Sequence, residues 1–195
     1  AGLLVGRLVI VGGRVGSVPA ATARDVLAAV EAARAAQVAW SDAGFRDRAR
    51  VVRRFERLLQ TRQAEILDTL QGETGKTRRD ALTEVLTVAR TCQYYVAHGE
   101  DFLADERAAA AIPGLGSART VYKPHGVVGF ISPWNYPFIL SIGDAIPALL
   151  AGNAVVIKPS EMTPLSAEIA LRLLREAGLP EPTARLVHGT GPVGA

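Results

Sequence analysis

The sequence has 195 residues, enough to bury a full single-domain core. Its 22 Lys and Arg against 19 Asp and Glu leave a dispersed net charge of +3, with no basic stripe, which argues against nucleic acid as a partner. A single cysteine excludes an intramolecular disulfide and any thiol-rich metal site, as expected of a cytoplasmic protein, and 138–157, the longest apolar region, is interrupted by Asp144, Pro147 and Asn153, so no membrane association is expected.

Residues 1–20 hold two β-like fragments around a Gly12-Gly13 turn. Leu3 to Val11 is apolar but short and broken by Gly6 and Arg7, so it reads neither as a signal peptide nor as a span. Thr22, with Asp25 three residues on, predicts a capping box opening a helix whose apolar face is Val26, Val30 and Ala33, running to about Trp40. Ser41 to Gly44 breaks it. From Arg48 to Leu70 the period of Val52, Phe55, Leu59, Ile66, Leu67 and Leu70 predicts a second helix. Gly72 to Lys76 reads as a structural loop, because Lys76 lacks phosphate-loop spacing. A third helix is predicted over Arg79 to Leu103. Ala108 to Ser117 is linker-like, and Arg119 to Lys123 alternates as a strand that Pro124 ends.

The next stretch organises the chain. Val127 to Ile131 is an uninterrupted apolar run, predicted as a strand buried on both faces. Phe138 to Leu150 has the length of a short buried helix stopped by Gly152-Asn153, and Ala154 to Ile157 is a second strand ending at Lys158-Pro159. Thr163 reads as the cap and Pro164 as the first residue of another helix, closed by Gly178 and Pro180. Arg185 to His188 is a third strand, followed by a glycine-rich turn. Strand, helix, strand, helix, strand makes an α/β fold: half of a doubly wound parallel sheet behind three N-terminal helices. Ligands of such sheets bind outside the carboxyl ends of the strands, so Asn135 and Lys158 are expected on one rim.

The residues Pro133-Trp134-Asn135-Tyr136-Pro137, followed by GNAVVIKPSE at 152–161, resemble the aldehyde dehydrogenase superfamily, and Glu73-Thr74-Gly75-Lys76 is similar to its ETGK stretch. Nearly the whole chain shares the likeness, and GVVGFISPWNYP is closest in wording to bacterial succinate-semialdehyde dehydrogenases. What the resemblance implies is oxidation of an aldehyde, with succinate semialdehyde as candidate substrate, by NAD, with NADP tolerated. Implied too is a homodimer or homotetramer, in which residues 118–125 form a bridging oligomerisation strand between a hairpin-and-helical part, 1–117, and the dinucleotide-binding half, 126–195. An exposed edge strand is the alternative reading of 118–125.

By the same resemblance Asn135 donates its side-chain amide to an oxyanion, a recurrent use of such groups. Ile131, Ser132, Pro133 and Trp134 lie along the cofactor, Lys158 and Glu161 belong to its ribose site, Ser160 is a further cofactor-binding residue, and Gly191 and Pro192 lie near the adenine. Trp134 fits a core position equally well. Cys92, mid-helix with no activating neighbour, is expected to be inert packing, and His98, His125 and His188 share no metal or triad spacing. The family's nucleophilic cysteine and general-base glutamate have no counterpart within these residues, so the isolated chain is expected to be inactive. The alternatives are a non-catalytic nucleotide-binding or oligomerising fragment, and a CoA-dependent or phosphate-reducing member of the superfamily.

Overall fold

The computed structural model describes residues 3–7, 14–110 and 116–194. The Gly12-Gly13 turn and the centre of the 108–117 linker lie outside the described residues. Strands β1 (Leu3–Arg7) and β2 (Arg14–Pro19) pair antiparallel. Helix α1 (Ala23–Asp42) opens with the expected capping box: the Asp25 amide donates to Thr22 Oγ1, and the Thr22 amide donates to Asp25 Oδ2 at 2.7 Å.

The helical part holds four helices where the periodicity predicts three. The expected helix over 48–70 is two, α2 (Gly44–Thr61) and α3 (Gln63–Thr74), bent at Arg62 with φ −105° and ψ 17°. Neither glycine nor proline marks that bend, and Leu59 and Ile66 stand seven residues apart, about two helical turns, so periodicity alone reads one helix. Helix α4 (Arg78–Phe102) follows the turn at Gly75. Strands β3 (Glu106–Ala108) and β4 (Ala118–Thr120) form an exposed antiparallel pair, so the strand expected over 119–123 is shorter and begins one residue earlier.

The parallel sheet has the order β5 (Val127–Ile131), β6 (Ala154–Lys158), β7 (Ala184–Leu186). Strand β6 is central and buried throughout. Strand β5 corrects the expectation of burial on both faces: it is an edge with one partner among the described residues, and Gly129 and Ile131 are exposed. Alternation along β6 divides the molecule into layers. Ala154 and Val156 face α1, whose Ala29 and Ala33 are small enough to lie close on the sheet. Val155 and Ile157 face the larger core, which α2, α3 and α4 share with α5 (Ala145–Leu150) and α6 (Pro164–Glu176).

The crossover predicted as one helix over 138–150 is a π-helical turn, Ile139–Gly143, followed by α5. Restarting at Ala145 puts Pro147 in the first turn of a new helix, where an amide has no intrahelical partner to lose. The ends of these buried helices are satisfied from the helical layer. Glu84, with 0% exposure, accepts from the Phe138 and Ile139 amides at 2.9 and 3.2 Å. At the other end, Gln37 Nε2, Trp40 Nε1 and Arg48 Nε donate to the carbonyls of Gly152, Leu149 and Leu150 at 2.8, 2.9 and 2.9 Å. Gly152, at φ +89°, makes the left-handed exit. Asn153 then accepts from the Gly126 amide at 3.0 Å, closing the end of the crossover onto the start of β5.

Thr163 does not cap α6, contrary to the sequence reading; its hydroxyl is buried without a partner among the described residues. The cap is Glu73, which accepts from the Leu165 amide at 2.7 Å, the Ser166 amide at 2.7 Å and Ser166 Oγ at 2.6 Å. Pro164 at the first position of α6 needs no amide partner, and a carboxylate is the favoured charge at a helix N-terminus. Burial pushes the Glu73 carboxyl above its ordinary value, opposed by the donors from Ser166 and Leu165. The unfolded glutamate therefore ionises first, and the contribution of Glu73 to stability declines as pH rises between the unfolded and folded values. Glu73→Ala is expected to cost about 2–3 kcal/mol in chemical denaturation and to speed hydrogen exchange at Leu165 and Ser166, with Glu73→Gln costing less.

Candidate active site

The carboxyl edge of β5 and β6 gathers most of the residues singled out by sequence. Parallel register sets Ile131 beside Lys158, and the Ser132 amide donates to the Lys158 carbonyl at 3.0 Å. The alternation that turns Ala154 and Val156 toward α1 turns Lys158 the same way. The residue is 6% exposed, and its ammonium donates to the Pro159 carbonyl at 3.2 Å and stands 3.6 Å from Glu161 Oε2. Glu161 is only partly covered. Above them, the glycine-rich turn leads into a single helical turn, α7 (Gly191–Gly194), packed against the lysine stem: a Cβ at position 194 would lie 2.7 Å from Lys158 Cδ, so any larger residue there would have to displace the lysine. Together Val26, Val30 and Arg34 of α1, Ile131, Lys158, Val187, Val193 and Gly194 line a cleft of about 280 Å³.

Gly191 and Pro192 are exposed at the start of α7, outside the cleft lining. Ser160 is buried, its hydroxyl accepting from the Met162 amide at 3.2 Å. The Ser132 hydroxyl is buried without a partner among the described residues. Pro133, Trp134, Asn135 and Tyr136 are all exposed, and at 55% exposure Trp134 is not a core residue of this structure.

Asn135 shares the rim with Lys158 but is tethered from the opposite face of the sheet. Lys76, between α3 and α4, donates to the Asn135 carbonyl at 3.1 Å, pairs with Glu84 Oε1, and lies 5.0 Å from the Tyr136 ring centroid. The reading of 72–76 as a structural loop is corrected: residues 72–74 are the last turn of α3, with Glu73 reaching the first turn of α6 and Lys76 the loop that carries Asn135. A signal for Glu84 was present: it is the one acid on the apolar face formed by Ala81, Val85, Val88 and Cys92, and a charge on a buried face needs a partner.

Cys92 is 1% exposed within that core, and burial, with Glu56 nearby, pushes its thiol up to about 12. It belongs to packing and not to the rim. His188 is buried with Nε2 2.7 Å from Glu168 Oε1, His98 packs at a tilt against Tyr94 and Phe102, and no group of three metal-ligating side chains occurs among the described residues. No helix among the described residues is long and apolar enough to cross a membrane. Because the folded thiol holds its proton well above the unfolded value of roughly 8.5, the fold loses stability as pH rises beyond that value. Alkylation of the native chain at pH 8 is expected to be at least a hundredfold slower than in denaturant, by intact mass, and Cys92→Ala is expected to flatten the alkaline loss of stability.

Comparison with known proteins agrees with this architecture. The profile described as "Aldehyde dehydrogenase family" matches residues 10–195. A Mycolicibacterium smegmatis protein named "Putative succinate-semialdehyde dehydrogenase", of the NADP(+) type, is 42% identical over 185 residues, covering 95% of this chain and 36% of the relative. An N-succinylglutamate 5-semialdehyde dehydrogenase of Chromobacterium violaceum is 46% identical over 180 residues, 90% of this chain and 35% of the relative. Among solved structures, an NAD-dependent benzaldehyde dehydrogenase from Corynebacterium glutamicum superposes with a TM-score of 0.92 at 32% identity, covering 98% of this chain and 42% of the other. The chain spans about a third of the length of these curated relatives, 36% and 35%. With the sheet, the rim motifs and the matched span in agreement, the chain belongs to the aldehyde dehydrogenase family.

Proposed function

We propose that this chain binds a nicotinamide dinucleotide along the carboxyl edge of β5 and β6 and supplies Asn135 as an oxyanion donor in the oxidation of an aldehyde to its acid. The observation that carries the reading is the pairing of a buried ammonium, Lys158, with a half-open carboxylate, Glu161, beside a cleft on the same edge that presents Asn135. The residues fit the cofactor: Lys158 and Glu161 offer a donor and an acceptor to ribose hydroxyls, Ile131 to Trp134 run along the edge, and Ser160, Gly191 and Pro192 flank it. When bound, the nicotinamide supplies the hydride acceptor. The part of Asn135 is to donate its amide to the oxygen on which negative charge develops.

Succinate semialdehyde is the substrate class we favour, supported by the names of the relatives, and a dimer or tetramer through the exposed β3–β4 pair is the assembly we favour. The burial of Cys92 supports a narrower reading of the 195-residue chain itself: a nucleotide-binding unit that does not turn over aldehydes, because its sole thiol is buried and protonated. NADH formation by the isolated chain, abolished in Cys92→Ala, would contradict that reading.

Calorimetric titration of NAD into the chain is expected to give saturable binding, weakened at least tenfold in Lys158→Met; a folded chain without saturable binding overturns the proposal. NAD is expected to be preferred over NADP, because Glu161 would set its charge against a 2′-phosphate, and Glu161→Ser is expected to shift the preference toward NADP. In a polypeptide of the relatives' full length carrying this sequence, Asn135→Ala is expected to lower turnover by roughly 10²-fold with cofactor affinity unchanged.

A further inference from the structure

The loop that carries Asn135 is exposed, yet its backbone is pinned by a pair that the proposed chemistry does not use. Glu84 divides its two oxygens. One takes Lys76, and the other accepts the Phe138 and Ile139 amides at 2.9 and 3.2 Å. Lys76, 12% exposed along its side chain, spends a further donor on the Asn135 carbonyl at 3.1 Å and sets its charge 5.0 Å from the Tyr136 ring centroid. The segment Asn135-Tyr136-Pro137 is thus held at its first carbonyl and again just beyond its last residue by one carboxylate and one ammonium. Pro137, buried and fixed in φ, removes most of the freedom left between the two anchors.

We infer that Lys76 and Glu84 form a positioning pair that sets the direction of the Asn135 side-chain amide at the carboxyl edge of β5. The catalytic significance rests on the reading of Asn135 as an oxyanion donor; the geometric claim does not. A buried ion pair contributes little net stability compared with apolar residues of the same volume, whereas removing one member leaves the other charge uncompensated. Its use here is directional. An ammonium offers three donors from one point, and two of its attachments converge on adjacent residues of the loop. An oxyanion donor displaced by about 1 Å forfeits much of its effect, so a loop this exposed needs such an anchor.

The test uses the ¹⁵N-labelled chain, with the Asn135 side-chain amide assigned by its loss in Asn135→Ala. In Lys76→Met that amide is expected to shift and broaden and the thermal midpoint to fall. In the double variant Lys76→Met/Glu84→Gln, which leaves no uncompensated buried charge, the midpoint is expected to recover most of its loss while the amide stays displaced. Should Lys76→Met fail to fold, the double variant carries the test alone. An unperturbed Asn135 amide in either variant, or one restored together with the midpoint, makes the pair merely structural and overturns the inference. In the full-length polypeptide, Lys76→Met is expected to lower kcat roughly tenfold or more with the KM for NAD unchanged, and to cause no further loss in the Asn135→Ala background. Additive losses overturn the positioning role. If Asn135→Ala alone leaves kcat intact, the oxyanion reading fails while the displaced amide still establishes the geometry.

Discussion

The structure depends on satisfying helix ends that have no access to water. A buried helix terminus exposes amides or carbonyls that cost free energy unless something pairs with them. The crossover between β5 and β6 has this problem at both ends, where Phe138, Leu149 and Leu150 are buried. Glu84 meets the amides at one end, and Gln37, Trp40 and Arg48 meet the carbonyls at the other. Burial lowers the pKa of the Arg48 guanidinium, yet three backbone carbonyls in reach keep it useful as a donor. Apolar packing alone would leave these groups unpaired, so the helical layer is tied to the sheet layer by a small set of specific bonds.

The same device reaches the rim. Glu73 and Lys76 lie on either side of Gly75, whose φ of +69° turns the chain sharply between α3 and α4. Glu73 caps α6 four residues beyond Glu161, and Lys76 holds the carbonyl of Asn135. The polar bonds made on either side of this one turn in the helical layer thus reach both the first turn of α6 and the backbone of the Asn135 loop after β5.

The two faces of the sheet divide the remaining work. Alternation along β6 sends Val155 and Ile157 into the main core and Ala154, Val156 and Lys158 toward α1. Lys158 is thus the polar end of an otherwise apolar stripe, which explains how a lysine side chain can be almost wholly buried beside Gly194 while its ammonium stands near Glu161. Asn135, held from the α4 side, approaches the same edge from the other face.

Much of this was legible in the residues. The 3.6-residue periods, the Thr22 capping box, the Gly152-Asn153 stop and the strand runs at 127–131 and 154–157 are local signals, and local signals determine local structure. The rim placement of Lys158 and Asn135 followed from a general property of parallel sheets. What the sequence alone did not determine was anything whose partner lies far along the chain. Thr163 carried every local mark of a helix cap, but Glu73, about ninety residues away, took the amides instead, as Leu165 bonds to it across 92 positions. The bend at Arg62, the edge exposure of β5 and the tether from Lys76 to Asn135 are of the same kind. A cap read from sequence supposes that the nearest acceptor wins; in a buried layer the winner is the acceptor that packing delivers, and a buried carboxylate that would otherwise go unpaired outbids a neighbouring hydroxyl.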